Sequence, residues 1–483
     1  MKAVFRLILV SAVALLIALL ASVRSSRDRI SQNQARPNIV LILADDLGYG
    51  DLASYGGAKI LTPHIDQLAR DGARFTDFHS ASAVCSSSRA GVLTGLYPAR
   101  FGFTRAFRDT KEEFLPPGTV TLPALLKQAG YATAHVGEWN LGGLRKSDIS
   151  GRAFGPPGPL EHGFDHYLSM NEDPEPRARL VRERGVYSQG GQYLFRDDKP
   201  AEPSNEHLTE IEIAEAENLI ETFHKRRQPF FLNVWFDTAH EPYEPAVDQY
   251  LKLYEGKAAG DDLLYRSMVT HLDAGVGRIV AKLKQLGAAD NTLIVFTSDN
   301  GATGPGSNAP LRGGKGTLFE GGIRAPMIAV WPGRIRPGTI SDEFAISTDL
   351  APTLCEAAGA PLPEDFHPDG QSLLGHLRSG RRIAAREAAF WWMDERADFQ
   401  KRHGEQPPFA TEAVRWGRWK MLARNGQPLA LYYLENDLGE RRNVLEQERR
   451  IGDELALKLR AWLSAMKLRA LCQVEERVRN KRK

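Results

Sequence analysis

The residues best suited to chemistry lie in a short segment in the first fifth of the chain, Cys85 to Gly95 (CSSSRAGVLTG). Serines before an Ala, Val and Leu run are typical of a helix start, so Cys85 is predicted to begin a helix with Arg89 one turn further on. A helix N-terminus beside an arginine is predicted to bind an anion. The same charges predict an acidic, accessible thiol, although a lone cysteine is otherwise often a small core residue.

Polar residues also follow three apolar segments that have the composition of buried strands. These segments are Asn38 to Ala44, Phe230 to Phe236 and Thr292 to Ser298. Asp45 and Asp46 follow the first, His240 follows the second, and Asp299 and Asn300 follow the third. Because ligands of open α/β sheets bind at the carboxyl ends of strands, these side chains are predicted to meet in one crevice. The alternative is that each is an ordinary turn former.

The side chains of Asp45, Asp46, Asp299 and Asn300 offer only hard oxygen ligands. Oxygen ligands without a histidine or a thiolate suit Ca²⁺, with Mg²⁺ as the alternative, and argue against zinc. Adjacent aspartates at a strand end repel each other unless a cation lies beside them. The sequence therefore predicts a divalent cation site, and the opposing interpretation is that these residues cap unrelated turns.

The composition of the chain limits its function to a few broad classes. The chain has 483 residues, a net charge of +2 and 25% charged residues. This length predicts a large domain and a smaller one. The balanced charge, without a long basic stripe outside the C-terminal tail, argues against a nucleic-acid partner. Three scattered cysteines are too few for a disulfide framework, so the core must stabilise the fold.

Residues 1–25 have the pattern of an export signal. Lys2 and Arg6 precede an apolar run from Leu7 to Val23, and arginines follow it. This order is typical of a signal peptide, and the run is shorter than the roughly 20 residues that a spanning helix needs. No small-residue cleavage motif is prominent, so an uncleaved N-terminal membrane anchor is the alternative. The chain is expected to be exported, to a periplasm, the extracellular space or a lysosome-like lumen.

Apolar segments alternate with helical patterns from Pro37 onward, as a mostly parallel α/β sheet requires. Thr62 to Ala69 and Leu122 to Ala129 are predicted helices, and Tyr131 to Val136 is a predicted strand. The stretch 147–206, rich in Gly, Pro and charge, is predicted to be an insertion of surface loops.

The pattern beyond residue 373 indicates a smaller α+β unit. Ala413 to Leu422 and Leu429 to Leu434 have strand-like composition, and an amphipathic helix is predicted from Ile451 to about Leu468. The predicted division is a catalytic domain at 37–373, a small C-terminal domain at 374–475 and a basic tail at 476–483.

Several long motifs make the chain resemble the sulfatases of the alkaline phosphatase superfamily, from Pro37 to about Val444. The motifs are PNIVLILADDLGYGDL, TPHIDQLARDG, CSSSRAGVLTG, GYATAHVGEWNLG, FFLNVWFDTAHEPY, TLIVFTSDNG, LRGGKGTLFEGGIRAP and LYYLENDLGERRNV. The resemblance implies an alkaline-phosphatase-like α/β/α sandwich with a mostly parallel central sheet and a smaller α+β domain. It also implies a hydrolase of sulfate esters, acting on an aryl sulfate or on a sulfated small molecule or glycan.

The resemblance further implies that Cys85 is oxidised to formylglycine by a formylglycine-generating or other sulfatase-maturing enzyme. The hydrated aldehyde would then supply the nucleophile that attacks sulfur. A bound calcium ion would complete the site. The ligands implied for this ion are Asp45, Asp46, Cys85 in its oxidised form, Asp299 and Asn300.

Three further residues receive roles from the resemblance. Arg89 would hold the formylglycine hydrate in place, and His240 would be the general acid toward the leaving alcohol. Lys315, in LRGGKGTLFEGG, would contact the sulfate and the leaving oxygen. Without the resemblance, His240 would be a solvated histidine in a turn and Lys315 a surface lysine in a glycine-rich loop.

The chain departs from the family pattern at Ser87, Glu138 and Asn140. The family usually has Pro or Ala two residues after the cysteine, so Ser87 predicts inefficient conversion. Active members generally have Gly-Lys-Trp-His-Leu-Gly where this chain has Gly-Glu-Trp-Asn-Leu-Gly. A unit charge about 4 Å away contributes up to roughly 4 kcal/mol at an effective dielectric constant near 20. Weakened turnover is therefore predicted, and the penalty is smaller if Glu138 is protonated or pairs with Arg89 or Lys315.

Two other functions stay open at this point. One is a non-catalytic sulfatase-fold protein that binds a sulfated ligand, which Glu138 and Asn140 favour. The other is a phosphoester or phosphonate hydrolase of the same superfamily, in which a different anion tolerates the altered pocket. The retained cysteine, arginine, histidine and lysine of the expected site favour the sulfatase.

Overall fold

The computed structural model of the chain describes residues 36–107, 113–144, 157–170, 194–202, 204, 206–243, 247–393, 401 and 409–481, with side chains up to residue 467. The predicted signal peptide or anchor at 1–25 and most of the predicted insertion at 147–206 lie outside these ranges. The side chains of the predicted basic tail do as well. Within the described ranges, no helix is both long and apolar enough to cross a membrane.

Strands and helices alternate along most of the chain. The strands are β1 (Asn38–Ala44), β2 (Ala73–Phe75), β3 (Phe78–His79), β4 (Ala132–Gly137), β5 (His166–Met170), β6 (Leu194–Arg196), β7 (Lys199–Pro200), β8 (Phe230–Phe236), β9 (Thr292–Ser298), β10 (Met327–Val330), β11 (Thr339–Ser341), β12 (Ala345–Ile346), β13 (Ala389–Trp392), β14 (Glu412–Trp416), β15 (Trp419–Arg424) and β16 (Gln427–Tyr433). The helices are α1 (Pro63–Asp71), α2 (Cys85–Thr94), α3 (Leu122–Gln128), α4 (Leu208–Lys225), α5 (Asp248–Leu251), α6 (Gly260–Gln285), α7 (Glu320–Ile323), α8 (Leu350–Ala358), α9 (Leu374–Ser379) and α10 (Arg449–Lys481).

A ten-stranded sheet runs through the described residues in the order β11-β2-β10-β9-β1-β8-β4-β5-β6-β7. Its centre, from β9 to β5, is parallel. Strand β10 on one side and strands β6 and β7 on the other join it in antiparallel fashion. The fold is therefore the α/β class with a mostly parallel sheet that the sequence predicts. Because β5, β6 and β7 fall within 147–206, the prediction that this stretch forms surface loops is wrong for these described residues.

The central strands are buried on both faces, which is why each is a continuous apolar run. Along β1, Val40 and Ile42 pack into one hydrophobic cluster, and Ile39 and Leu41 pack into the opposite one. The first cluster includes residues of α1, α4 and α6, and the second includes residues of α2, α3 and α8. The predicted bounds of β1, β8 and β9 are confirmed residue for residue, and the predicted helices near 62–69 and 122–129 are present as α1 and α3.

The C-terminal part contains a separate antiparallel sheet in the order β13-β14-β15-β16, packed against α10. The prediction of one strand from Ala413 to Leu422 is wrong, because the chain turns back within it. Trp416 ends β14 and pairs with Trp419, which begins β15. Gly417 between them has a φ of 56°, the left-handed conformation that a two-residue hairpin turn requires.

The helix predicted from Ile451 is present as α10, and it continues to Lys481. In α9, Leu374 and Leu377 pack into the same core cluster as Leu350 of α8. The division of the chain into domains at residue 373 stays a prediction.

A network of buried charges joins the small sheet to the segment between β2 and β3. Asp77, between β2 and β3, accepts hydrogen bonds from Arg415 of β14 at 2.7 and 2.6 Å. Arg324 and Arg418 lie 3.4 and 3.2 Å from the same carboxylate. Burial raises the pKa of Asp77, but the arginines, Arg415 above all, outweigh it and bring this pKa down to about 2. The ionised carboxylate therefore stabilises the folded chain.

Replacing Asp77 with Asn should lower the free energy of unfolding at neutral pH by about 3 kcal/mol, because buried arginines lose their counter-charge. The pKa of Asp77 is depressed in the folded state, so its contribution is full above the unfolded pKa of about 3.9. That contribution is lost as the pH falls toward 2. In urea unfolding, the difference between the wild type and Asp77→Asn should therefore shrink as the pH drops below about 4.

The matched control for this prediction is Asp342→Asn. The Asp342 side chain is 84% exposed beside Arg418, so its replacement should leave the free energy of unfolding nearly unchanged. A penalty for Asp77→Asn that is as large in acid as at neutral pH would contradict the assignment.

Candidate active site

The candidate site is formed where the central strands end. The last residues of β1, β8 and β9 lie side by side in the register of the sheet. The residues after them are joined by backbone hydrogen bonds, from Asp45 N to Thr238 O at 3.0 Å and from Asp299 N to Ala44 O at 3.3 Å. The carboxyl ends of the three strands therefore meet in one crevice, as the sequence predicts.

Cys85 is the first residue of α2, as predicted, and its side chain points at this crevice. Its Sγ lies 3.6 Å from Oδ1 of Asp45. The expectation of an acidic, accessible thiol is wrong, because the residue is only 3% exposed. Burial, followed by the charge of Asp45, raises the pKa of the thiol well above its ordinary value, and nearby Lys315 does not offset this. As an unmodified thiol, Cys85 is a poor nucleophile.

Arg89 lies one turn along α2 and is completely buried. Its Nη2 is 3.1 Å from Asp45 and 3.3 Å from Asp299, and it also contacts the carboxylate of Glu138. Its Nη1 donates to the backbone oxygen of Glu138 at 2.7 Å, and the guanidinium lies 5.2 Å from the ring centroid of Trp235. Although burial opposes its charge, Glu138 and Asp45 raise the pKa of Arg89 well above its ordinary value.

Asp46 is the second centre of the site, and its backbone is in the left-handed region with a φ of 58°. Its carboxylate accepts hydrogen bonds from Lys315 Nζ at 2.8 Å and from Asn300 Nδ2 at 2.7 Å. His240 Nε2 lies 3.7 Å from the same carboxylate. Burial raises the pKa of Asp46, but Lys315 and His240 outweigh it and lower this pKa below its ordinary value. Asp46 is therefore held as a carboxylate by the two residues expected to do chemistry.

Two of the three positions that depart from the family pattern, Glu138 and Asn140, lie on the turn after β4. Gly137 has a φ of 101°, and a Cβ there would lie 1.8 Å from the backbone oxygen of Trp235, so the turn requires glycine. The next side chain, Glu138, pairs with Arg89, which confirms one of the two pairings expected for it. Asn140 Nδ2 donates to Glu138 at 3.1 Å, and the hydroxyl of Ser86 donates to Asn140 Oδ1.

The charges of the crevice do not balance among its own side chains. Four buried carboxylates, those of Asp45, Asp46, Glu138 and Asp299, face the cationic side chains of Arg89 and Lys315. Burial and the neighbouring carboxylates raise the pKa of Asp45, and burial raises that of Asp299 against the pull of Arg89. An excess of negative charge away from water is costly unless a cation is present.

The donor atoms of the crevice fit a divalent cation. Oδ1 of Asn300 is buried and has no hydrogen-bond partner, although the Nδ2 of the same amide is bonded. One ligand atom from each of Asp45, Asp46, Cys85 and His240 lies within 4.8 Å of the others. The surrounding oxygen atoms are the hard ligands that Ca²⁺ and Mg²⁺ prefer.

A second group of described residues, Asp77, His79 and Glu320, also brings metal-ligand atoms together. Arg415 binds Asp77, and Lys420 Nζ lies 2.9 Å from Glu320, so these carboxylates already have cationic partners. This group is an ion-pair network and differs from the crevice, whose carboxylates outnumber the cations.

Two residues of the site were missed in the sequence. Trp235 lies inside the apolar run of β8, where nothing distinguishes a residue that contacts the buried Arg89 from any other core residue. Ser86 is part of a helix-start signal, and its bond to Asn140 depends on a turn 54 residues away. Both contacts arise from the packing of distant segments, which local patterns do not encode.

Comparison with known families finds two matching family models. The model described as Sulfatase matches residues 37–360. The model described as N-sulphoglucosamine sulphohydrolase, C-terminal, matches residues 314–468. Together they span the large sheet, the crevice and the small antiparallel sheet.

Individual sulfatases are similar to this chain over most of its length. N-acetylgalactosamine-6-sulfatase of Rattus norvegicus is 36% identical over 369 residues, which cover 72% of this chain and 67% of that protein. Arylsulfatase A of Homo sapiens is 37% identical over 351 residues, covering 68% and 65%. The chain thus spans about two thirds of the length of these relatives. The crystal structure of Ps i-CgsB in complex with k-i-k-neocarrahexaose has a TM-score of 0.75 and 29% identity, covering 89% of this chain and 93% of that one.

Calcium should raise the melting temperature of the protein by several degrees, because a cation that binds only the folded state stabilises it by about 2.7 kcal/mol at 100 times its dissociation constant. Differential scanning calorimetry with Ca²⁺, with Mg²⁺ and with a chelator would measure this shift and rank the two ions. The shift should be largely lost in Asp46→Asn. It should persist in Asp262→Asn, whose carboxylate pairs only with a neighbouring arginine of its own helix in the described contacts. If neither ion changes the melting temperature, the cation site is contradicted.

Proposed function

The chain belongs to the sulfatase family, and from that premise we propose that it hydrolyses sulfate esters of carbohydrates or aryl alcohols in the crevice beside Cys85. The observation that carries the proposal is the convergence of Cys85, Arg89, His240 and Lys315 on one pair of buried aspartates. The names of the relatives, a sulfatase of a sulfated sugar and an arylsulfatase, support these two substrate classes.

The proposal requires Cys85 to be oxidised to formylglycine by a separate maturing enzyme. The raised pKa and burial of the thiol support this requirement, because a protonated, enclosed thiol attacks poorly. Formylglycine supplies an aldehyde whose hydrate offers an oxygen nucleophile in place of sulfur. Arg89, which lies one turn along the same helix, would orient the residue at position 85.

The cation proposed for the crevice is calcium. Asp45, Asp46, Asp299, Asn300 and the oxidised residue 85 would hold it, and the unpartnered Oδ1 of Asn300 supports this set. When bound, calcium supplies positive charge that offsets the charge of the sulfate oxygens. The same ion would balance the excess of carboxylates in the crevice.

Two side chains would act on the leaving group. Lys315 is almost completely buried at 6% exposure, so its ammonium group would interact with a sulfate oxygen with little screening by water. His240 contacts the backbone oxygen of Glu241 through Nδ1. Because a carbonyl oxygen only accepts, Nδ1 carries a hydrogen there, and Nε2 is the atom that would transfer a proton to the leaving oxygen.

Slow turnover is part of the proposal. Glu138 lies where a sulfate-binding lysine is expected, and its carboxylate forms an ion pair with Arg89. Asn140 hydrogen-bonds but cannot take up a proton at neutral pH. The same observation favours one alternative, a sulfatase-fold protein that binds a sulfated ligand without hydrolysing it. We also propose that the chain is exported, on the basis of the charged and apolar pattern of residues 1–25.

The direct test is hydrolysis of 4-nitrocatechol sulfate by the protein co-produced with a formylglycine-generating enzyme, with calcium present. Peptide mass spectrometry across residue 85 should find the aldehyde. We expect Cys85→Ala to lower kcat/KM by at least about 100-fold, because the nucleophile is removed. A protein that carries the aldehyde but is no faster than Cys85→Ala would refute the hydrolase and leave the binding protein.

The double substitution Glu138→Lys and Asn140→His should raise kcat/KM by about tenfold or more, because repulsion of the sulfate is replaced by attraction. Steady-state kinetics on aldehyde-containing protein would measure this change. Glu138→Gln is the matched control, since it removes the negative charge without adding a positive one, and an intermediate rate is expected. Unchanged kinetics in the folded double variant would mean that these two positions do not limit turnover.

A further inference from the structure

The loop from residue 311 to residue 324, which carries Lys315, contacts the small C-terminal domain on both sides of that lysine. Three residues before Lys315, Nη1 of Arg312 donates to the backbone oxygen of Glu440 at 2.8 Å. Five residues after it, the backbone N–H of Glu320 donates to the side chain of Glu440 at 2.6 Å. One residue of the small domain therefore holds both ends of the segment that presents Lys315.

Glu440 is itself held firmly. It is completely buried, and its backbone has a φ of 50°, a left-handed conformation. Lys420 Nζ lies 2.9 Å from Oε1 of Glu440 and 2.9 Å from Oε1 of Glu320. Lys420 is also completely buried, so this ion-pair bridge is shielded from water.

The other end of the bridge is tied to the large domain. The second oxygen of Glu320 lies 2.9 Å from His79 Nε2 and 3.1 Å from Arg324 Nη1. Glu320 therefore connects the small domain, through Lys420, with a strand of the large domain. The charges of the bridge have opposite-sign partners within hydrogen-bonding distance, as a buried ion-pair network requires.

The segment between the two anchored residues has little freedom to adjust. Lys315 N donates to Ala302 O at 3.2 Å, and Gly316 N donates to Ala83 O at 2.8 Å. A Cβ at Gly322 would lie 2.1 Å from the backbone oxygen of Thr317, so the loop is packed against itself. A shift of Arg312 or Glu320 must therefore move the backbone that carries the ammonium group, because close packing transmits small displacements.

We infer that Glu440 is a positioning residue that holds Lys315 against Asp46 by bridging Arg312 and Glu320 from the small domain. The inference rests on the proposed function only for the role of Lys315 in turnover. The contacts of Glu440 with the loop do not depend on that function. The small domain would then serve the reaction through this contact as well as through any contact with substrate.

The effect of these contacts on the loop is tested by hydrogen–deuterium exchange followed by mass spectrometry, which needs no activity. In Glu440→Ala, exchange of peptides within 311–324 should rise at least about fivefold, because the loop opens more often. Peptides of β1 should keep their exchange rate. Glu412→Ala is the matched control, since this buried glutamate of β14 accepts from Gly426 N, and its replacement should leave the exchange of loop 311–324 unchanged.

If Glu440→Ala proves too unstable to study, Arg312→Ala tests the same idea from the other side. It removes one of the two anchors without touching the buried carboxylates, so the same loop peptides should exchange faster. Exchange of the loop at the wild-type rate in a folded Glu440→Ala or Arg312→Ala protein would overturn the inference. This outcome is independent of whether the protein hydrolyses sulfate esters.

The role of Glu440 in turnover is tested by steady-state kinetics of the protein that contains the aldehyde. Glu440→Ala should lower kcat about tenfold with a smaller change in KM. Glu440→Gln, which still accepts from Glu320 N, should recover most of that loss. If Glu440 acts through Lys315, adding Glu440→Ala to Lys315→Ala should cause almost no further loss. If the two losses in kcat multiply in the double variant, the positioning role is overturned and Glu440 has only a structural role.

Discussion

The structure depends on how the negative charge of four buried carboxyl groups is balanced at the ends of parallel strands. Asp45, Asp46 and Asp299 are brought together by the register of β1, β8 and β9, and Glu138 joins them from the turn after β4. Arg89 and Lys315 supply the positive charge within the protein. Because water is excluded, any remaining imbalance is costly, and a bound cation would offset it.

The sequence was sufficient for the central architecture. Strands β1, β8 and β9 were predicted residue for residue, because a strand buried on both faces has an unbroken apolar run with polar ends. The small sheet was harder. The hairpin at Gly417 was missed because the composition on either side of Trp416 and Trp419 is equally strand-like, and only the glycine marks the reversal. A single glycine in a strand-like run is easily taken for a bulge.

The sequence predicted which residues lie together at the candidate site, but it did not predict the pKa of Cys85. The residues expected to converge do lie together, since they follow strands whose ends must meet. The acidity expected of Cys85 was wrong because the helix end favours a thiolate, whereas burial and Asp45 disfavour it more strongly. Such a balance depends on solvent exclusion by distant segments. Glu440 lies within the motif LYYLENDLGERRNV, but the motif does not indicate its contacts with the loop of Lys315, since its partners are 120 and 128 residues away.

In the turn after β4, the backbone path and the charge of the site depend on different atoms. Gly137 leaves no room for a side chain beside Trp235, and the N–H of Glu138 is bonded to the oxygen of Trp235 at 2.8 Å. The path of the backbone at residues 137 and 138 is thus set largely by glycine and by main-chain atoms. A substitution at position 138 can therefore change the charge beside Arg89 during evolution without first disrupting the backbone that carries it.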